Sequence, residues 1–351
     1  MKLKNKIQTV AVCITLIFSI TGCVNEEKAA TEKAEINIMS EADVEAADEV
    51  ISEQEDTSEV SNETEETTEN AFSFEELRKH EFWFSSGAGA WATVLNINPD
   101  GSFYGEYTDG EMGSVGDAYP NGTQYRCDFT GQFAQPVKVN DYTYSMEILE
   151  LNYEKEAGTE EIIGGMRYCY SDAYGLEDAE SLLLYLPGAP LAELSEDFRI
   201  WTGYFDIEES GDTQLMFYAL NNEVHQYGFI SYDIVENLKL SMDYFVRESE
   251  RIENSIQNEP LTQLEYNEKT KELYDLWDAL LNDEWRVLKR SLSEEEMNEL
   301  TVKQREWIAM KEQEVERAGL GCEGGSAQPM FMNQRAAELT KERVYELMEL
   351  F

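Results

Sequence analysis

The sequence predicts an α+β protein in which an antiparallel β barrel or sandwich is followed by a small antiparallel helical bundle. Three observations predict this class. Residues 73–235 alternate apolar and polar side chains between turn signals, with many aromatic residues and no long helical pattern. Residues 236–351 instead carry apolar side chains at three- and four-residue steps, the pattern of amphipathic helices. Residues 23–72 are almost all acidic, small or polar, which sets the folded part apart from the N-terminus.

The N-terminus has the composition of a bacterial export signal. Three lysines lie within the first six residues, and the apolar run of residues 7–20 is too short for a comfortable transmembrane helix. The following Ile-Thr-Gly-Cys resembles the bacterial lipobox. We therefore expect residues 1–22 to be a lipoprotein signal peptide and Cys23 to carry the lipid. An ordinary secretory signal with a coincidental cysteine is the alternative.

The charge balance restricts the partners of this chain. With 72 acidic and 27 basic residues among 351, the net charge is −45. A surface this acidic repels nucleic acid and anionic lipid headgroups and favours cationic partners. Residues 23–72 have no aromatic side chain before Phe72, and their like charges repel each other. They are predicted to form a disordered tether that lifts the folded part off the outer face of the cell membrane of a Gram-positive bacterium.

The β region begins with a short helical entry at residues 73–80 and continues as predicted strands. Its clearest hairpin signal is Asn-Pro-Asp-Gly at residues 98–101, which lies between alternating apolar residues. A second compact hairpin is predicted to turn at Asn221 and Asn222. The loop of residues 109–122 is long enough to be functional. Further strand patterns occupy residues 123–133, 141–154, 164–171 and 181–187.

Four helices are predicted in the C-terminal region. Thr262 with Glu265, and Ser293 with Glu296, have the spacing of capping boxes that start two of them. Gly319 is predicted to end the third helix. Their tryptophan-rich apolar stripes are predicted to form the core of the bundle, and a ligand site built from them is the alternative. The four predicted helices cover residues 242–256, 262–292, 293–319 and 333–351.

The segment Cys-Glu-Gly-Gly-Ser-Ala-Gln-Pro-Met-Phe at residues 322–331 interrupts the helical pattern. Gly324 and Gly325 are predicted to let the chain reverse, because glycine adopts positive φ without steric cost. Pro329 is predicted to end this loop before Asn333 caps the last helix. The segment therefore predicts a flexible, nearly uncharged connection between two charged helices.

Cysteine and histidine are too few to indicate a disulfide framework or a metal site. Cys127 and Cys169 could pair across strands, or could lie in a core as two small apolar side chains. Cys322 has no basic or histidine neighbour that would activate its thiol. The two histidines, His80 and His225, have no Cys or His neighbours at metal-ligand spacing.

Motifs of enzyme chemistry are not found in the sequence. It has no Gly-x-Ser-x-Gly elbow and no phosphate-binding loop. We therefore expect neither an enzymatic activity nor a cofactor. The acidic residues Asp109, Glu111 and Asp117 of one loop could hold calcium, or could simply be solvated.

Four pieces of the helical region, in order, resemble the family DUF1311, also named for the lysozyme inhibitor LprI. The pieces are residues 273–288, 304–314, 324–330 and 336–347, and the resemblance extends over about residues 245–351. Family members often carry two cysteines where this chain has Val315 and Arg335, so the disulfide that would staple the loop is absent. The residues that carry the resemblance, and are candidates for partner binding, are Trp307, Gly324, Gly325, Ser326, Pro329 and Arg343.

The resemblance implies a non-enzymatic protein of the cell envelope that inhibits lysozyme. We therefore expect a lipid-anchored, extracytoplasmic protein whose acidic helical domain, residues 236–351, binds a cationic protein such as lysozyme. One alternative is a solute- or glycan-binding protein that uses the β domain, which would show a deep apolar pocket there. Another is a structural spacer of the envelope.

Overall fold

The computed structural model describes residues 72–87 and 89–351. The predicted signal peptide, Cys23 and all but the last residue of the predicted tether lie outside the described residues. Within those residues, no helix is both long enough and apolar enough to cross a membrane.

The described residues before the bundle fold into eleven strands, most of which pair with a neighbour along the chain. The predicted helical entry is a short 3-10 helix over Phe74–Leu77, whose first turn is capped by Ser73. The strands are β1 (His80–Ser85), β2 (Trp91–Ile97), β3 (Ser102–Glu111), β4 (Thr123–Phe133), β5 (Val137–Asn140), β6 (Thr143–Tyr153), β7 (Glu160–Ile163), β8 (Met166–Tyr170), β9 (Ser181–Tyr185), β10 (Ala219–Asn222) and β11 (Tyr227–Asp233).

Eight of these strands close into an antiparallel barrel. The order around the ring is β6-β9-β10-β11-β1-β2-β3-β4, and β4 pairs again with β6. Strand β5 pairs with β6 outside the ring, β8 pairs in parallel with β4, and β7 pairs with β8. The sequence left a barrel and a sandwich open. The pairing of β4 with β6 decides for the barrel, because it removes the free edges of the ring.

Aromatic side chains fill the barrel, and glycines make room for them. Phe82 and Phe84, at alternate positions of β1, are fully buried, as the period of a strand requires. A β-carbon at Gly105 would collide with the ring of Phe129, and one at Gly131 would collide with the ring of Phe103. Each of these glycines has an aromatic residue two positions before it and another two positions after it. This repeated spacing lets aromatic rings pack over the glycines inside the barrel.

The first predicted hairpin is confirmed, and the second is displaced. Gly101 has a φ of +82° in the turn between β2 and β3. The predicted turn at Asn221 and Asn222 is wrong, because both residues lie buried in β10. The amide of Asn222 donates to the carbonyl oxygens of Gly175 and Glu177 at 3.1 and 3.0 Å. The turn follows at residues 223–226.

Between β9 and β10, two short helices interrupt the strands that the sequence predicted. Each begins at a side-chain cap, Ser195 for the first and Asp206 for the second. They pack with the neighbouring loops around a small core of their own that includes Leu191 and Phe198. These helices are α1 (Glu196–Trp201) and α2 (Ile207–Ser210).

Four longer helices form the C-terminal bundle, and two of their starts differ from the prediction. Both predicted capping boxes are present. The first helix starts earlier than expected because Asp233, the last residue of β11, caps it directly. The last helix starts before Asn333, because Pro329 lies in its first turn, where proline is tolerated. The helices are α3 (Ile234–Asn258), α4 (Gln263–Ser291), α5 (Glu294–Gly319) and α6 (Gln328–Met348).

One arginine near the end of α4 joins the bundle to the barrel. Arg290 is only 8% exposed. Its guanidinium donates to the carbonyl oxygens of Arg78 and His80, at 3.0 and 2.8 Å, and to the side-chain oxygen of Asn96. The carboxylate of Glu81 lies 3.8 Å from the same group. Because these partners precede β1 or lie in β1 and β2, Arg290 fixes α4 to the barrel wall.

Candidate functional site

Two of the candidate residues, Trp307 and Arg343, meet between α5 and α6. The guanidinium carbon of Arg343 lies 5.9 Å from the centroid of the Trp307 ring. The same guanidinium donates to the side-chain oxygen of Gln304 at 2.9 Å and to the carboxylate of Glu346 at 2.8 Å. The side chain of Arg343 is only 12% exposed. These contacts give Arg343 a role in holding α6 against α5.

A second cation, that of Lys311, lies near the same tryptophan. The ammonium of Lys311 is 4.9 Å from the Trp307 ring centroid and 5.3 Å from that of Tyr274. It is also 3.7 Å from the carboxylate of Asp278, and its burial lowers its pKa. Cation–π contacts of this kind contribute about 0.5–2 kcal/mol each. Lys311 therefore ties α5 to α4 at the level where Arg343 ties it to α6.

The glycine-rich loop lies at the opposite end of α6 from this tryptophan. Fifteen residues separate Gln328 from Arg343, which is about 22 Å along a helix. The loop is held by hydrogen bonds from Gly324 N to Gln328 Oε1 at 2.9 Å and from Asn267 Nδ2 to Ser326 O at 3.0 Å. The candidate residues thus form two separate groups. The loop group consists of Gly324, Gly325, Ser326 and Pro329.

The two loop glycines have different reasons to be glycine. Gly324 has a φ of +70°, in the left-handed region that disfavours other residues. Gly325 has no such φ; a β-carbon there would lie 3.1 Å from the carbonyl oxygen of Cys322. That oxygen accepts a hydrogen bond from Gly325 N at 2.8 Å. The predicted need for positive φ is therefore confirmed at Gly324 and wrong at Gly325.

Replacing Gly324 with alanine is expected to lower the free energy of unfolding by about 1–2 kcal/mol, the cost of a left-handed backbone. Gly321 lies in the same connection, and a β-carbon there meets no atom within 4 Å. Gly321→Ala is therefore the matched control, expected to change stability by less than about 0.5 kcal/mol. Urea denaturation of both variants measures the difference. Equal losses in the two variants would show that the left-handed backbone of Gly324 is not what makes glycine necessary.

Unpaired polar atoms lie in the interface between α4 and α6. Glu284 is fully buried, and neither carboxylate oxygen has a hydrogen-bond partner among the described residues. Burial raises the pKa of Glu284 to about 9, against an opposing effect of Arg343 and with a further rise from Asp283. Sequence reasoning missed this group. The sequence feature that indicates its burial is its position seven residues after Trp277, on the apolar stripe of α4.

A groove of ≈ 230 Å³ opens between α3, α4 and α6. Trp277 of α4 is fully buried at its floor. The ammonium of Lys341 lies 5.1 Å from the centroid of that ring and 3.0 Å from the carboxylate of Glu253. Sequence reasoning placed the tryptophan in the core but did not predict the groove. We call it the Trp277 groove. It is lined by Glu253, Ile256, Gln257, Thr270, Leu273, Trp277, Gln334, Ala337, Glu338 and Lys341.

Around Phe84, aromatic rings fill the barrel core, in the domain where the glycan-binding alternative would need a pocket. The ring of Phe84 is fully buried, and five aromatic rings surround it with centroids within 5.2 Å. Such contacts leave no room for a ligand beside Phe84. The five surrounding residues are Trp91, Tyr174, Trp201, Tyr227 and Phe229.

The three cysteines that the structure describes are free thiols. Cys127 and Cys169 therefore do not form the cross-strand disulfide that was one alternative. Cys127 is buried, and burial raises the pKa of its thiol to about 12. Within the described residues, no group of three or more His, Cys, Asp or Glu side chains could hold a metal ion, and this includes the loop acids Asp109, Glu111 and Asp117.

Comparison with known proteins concerns the helical bundle. Residues 256–347 match the family described as lysozyme inhibitor LprI. The chain belongs to the LprI family. An uncharacterized protein of Rhizobium meliloti (strain 1021) is 30% identical over 115 residues, which cover 28% of this chain and 83% of that protein. No solved structure matches the chain. The LprI region, residues 256–347, contains α4, α5 and nearly all of α6, whereas the barrel lies outside it.

Proposed function

We propose that this protein is a lipid-anchored envelope protein that binds lysozyme and inhibits it through the helical bundle. The observation that carries the proposal is the match of residues 256–347 to the lysozyme inhibitor LprI family. The match coincides with helices that pack on one another, so the family's part of the chain is a structural unit of the bundle. The anchor at Cys23 and the place on the outer membrane face are supported by the lipobox-like sequence.

The surface charge supports a basic partner. Lysozymes are generally basic, and a chain of net charge −45 attracts them over long range. Helix α5 contributes to this field along its solvent-facing side. Its exposed carboxylates include those of Glu294, Glu295, Glu299 and Glu312. Because such attraction is screened within about 8–10 Å at physiological ionic strength, binding should weaken as salt rises.

The lipid-free chain, residues 24–351, is expected to slow lysozyme turnover of a soluble chito-oligosaccharide, and to do so less as salt rises. An uncharged substrate keeps the charge of the cell wall out of the measurement. Lysozyme alone at each salt concentration is the reference. Poly-glutamate of equal total charge tests whether acidity alone is sufficient. No inhibition at low salt with excess protein, or equal inhibition by poly-glutamate, would contradict the proposal.

A further inference from the structure

We propose that the Trp277 groove binds a basic side chain of a cationic partner protein, which replaces Lys341 above the ring of Trp277. This inference rests on the proposed binding of lysozyme and names the surface that makes the contact. It also concerns a part of the chain beyond the family match, because Glu253 precedes residue 256, where the match begins. The groove thus combines two helices of the LprI region with α3.

The groove already holds one cation in the arrangement that a second cation would need. Tryptophan presents the most favourable aromatic face to a cation, and the ammonium of Lys341 is 5.1 Å from the centroid of Trp277. The carboxylate of Glu253 is 3.0 Å from the same ammonium. A ring and a carboxylate that converge on one position form a recognition site for a positive group. Lys341, a residue of the chain itself, occupies that position.

Displacing Lys341 gives up an ion pair and a cation–π contact, both of which an incoming cation restores with Glu253 and Trp277. The side chains of Lys341 and Glu253 are 35% and 36% exposed, so their ion pair is a surface pair. Such pairs contribute little to stability, and a released lysine regains side-chain conformational freedom. A guanidinium would replace it with a planar group that stacks on the indole and pairs with a carboxylate through two hydrogen bonds. Arginine is therefore the basic residue that fits this site best.

The shape and charge of the groove suit an arginine side chain. Its walls include Ile256, Leu273 and Ala337, which can contact the aliphatic stem while the charged head meets the rim. The rim carries a second carboxylate, that of Glu338, which is 49% exposed and pairs with Arg335 at 3.2 Å. A volume of ≈ 230 Å³ is enough to take in one side chain. These features favour a single residue of a basic protein as the occupant.

The test measures lysozyme affinity by calorimetry with residues 24–351 and four charge-matched variants. Lys341→Gln removes the competing cation and is expected to tighten binding about two- to fivefold relative to Lys303→Gln. Glu253→Gln removes the carboxylate and is expected to weaken binding relative to Glu306→Gln. Lys303 and Glu306 are exposed on α5, outside the groove, so the controls change net charge equally. Equal affinities within each pair would overturn the inference.

A second measurement does not depend on lysozyme. n-Butylguanidinium is titrated into the isotopically labelled chain, and the indole N–H resonance of Trp277, assigned with Trp277→Phe, is followed. A saturable shift is expected that needs less ligand in Lys341→Gln and is lost in Glu253→Gln. A shift with this pattern, but no lysozyme binding, would support cation binding in the groove and refute lysozyme as the partner. The opposite result is lysozyme binding with no shift, and with groove variants whose affinities equal those of their controls. That result would refute the groove as the binding site and leave the proposed function standing.

Discussion

Replacing Arg290 with methionine is expected to lower the free energy of unfolding by about 3–5 kcal/mol, as removal of one partner from a buried charged network does. The substitution keeps an unbranched apolar stem, shorter than that of arginine, and removes every donor. The carbonyl oxygens of Arg78 and His80 and the side-chain oxygen of Asn96 then lose the hydrogen bonds that Arg290 provides. Each buried acceptor without a partner costs about 1–3 kcal/mol. Glu81 keeps its ion pair with Arg286, which limits the loss.

The same change is expected to loosen the coupling between barrel and bundle. Urea denaturation followed by far-ultraviolet circular dichroism reports mainly the helices, and the indole N–H resonances of Trp83 in β1 and Trp91 in β2 report the barrel. The two curves should coincide in the wild type and separate in Arg290→Met, because coincidence is the mark of cooperative unfolding. Arg305→Met, at an exposed position of α5, is the control. A loss of stability no larger than in that control would refute the role assigned to Arg290.

Replacing Glu284 with glutamine is expected to remove a large pH dependence of stability. The folded pKa of about 9 lies above the value of an exposed glutamate. Between about pH 5 and 9, the folded protein therefore holds a proton at Glu284 that the unfolded chain has lost. Its contribution to stability is fully present at low pH and is lost as the pH rises through the folded pKa. At about 1.4 kcal/mol per pH unit, the wild type loses up to about 4 kcal/mol from pH 5 to 8 through this group.

The measurement compares unfolding free energies at pH 5, 6.5 and 8. Glutamine has nearly the shape of the protonated carboxyl and does not titrate. The free energy of unfolding of Glu284→Gln should therefore increase steadily relative to that of the wild type as the pH rises. Glu268→Gln removes an exposed carboxyl of the same helix and is expected to keep the slope of the wild type. Parallel pH profiles for the wild type and Glu284→Gln would show that the carboxyl is ionised in the folded protein.

The sequence was most informative where structure depends on near neighbours. The capping boxes at Thr262 and Ser293 fix helix starts through hydrogen bonds over three residues, and both are present. The hairpin at residues 98–101 follows in the same way from turn chemistry. The second hairpin was displaced because the amide of Asn222 bonds to a loop more than forty residues away. Local preference for a turn was overridden there by a distant contact.

The candidate site shows the same division. Trp307 and Arg343 were identified from the order of four sequence pieces, and the loop glycines from their composition. The loop glycines lie about 22 Å from this pair because α6 is long. The sequence pattern predicts its start at Asn333, whereas the helix begins at Gln328. The positive φ of Gly324 was predictable from glycine itself, whereas the different reason for Gly325 was not.

By itself, the sequence determined the class of the fold, the strong acidity and the membership of the helical region in its family. These properties depend on composition and on periods of two to four residues, which are visible without coordinates. Only the tertiary structure decided that β4 and β6 close the barrel, that Glu284 is buried without a hydrogen-bond partner among the described residues, and that Lys341 lies above Trp277. Each of these joins elements distant along the chain, and their contacts form only when the whole chain packs.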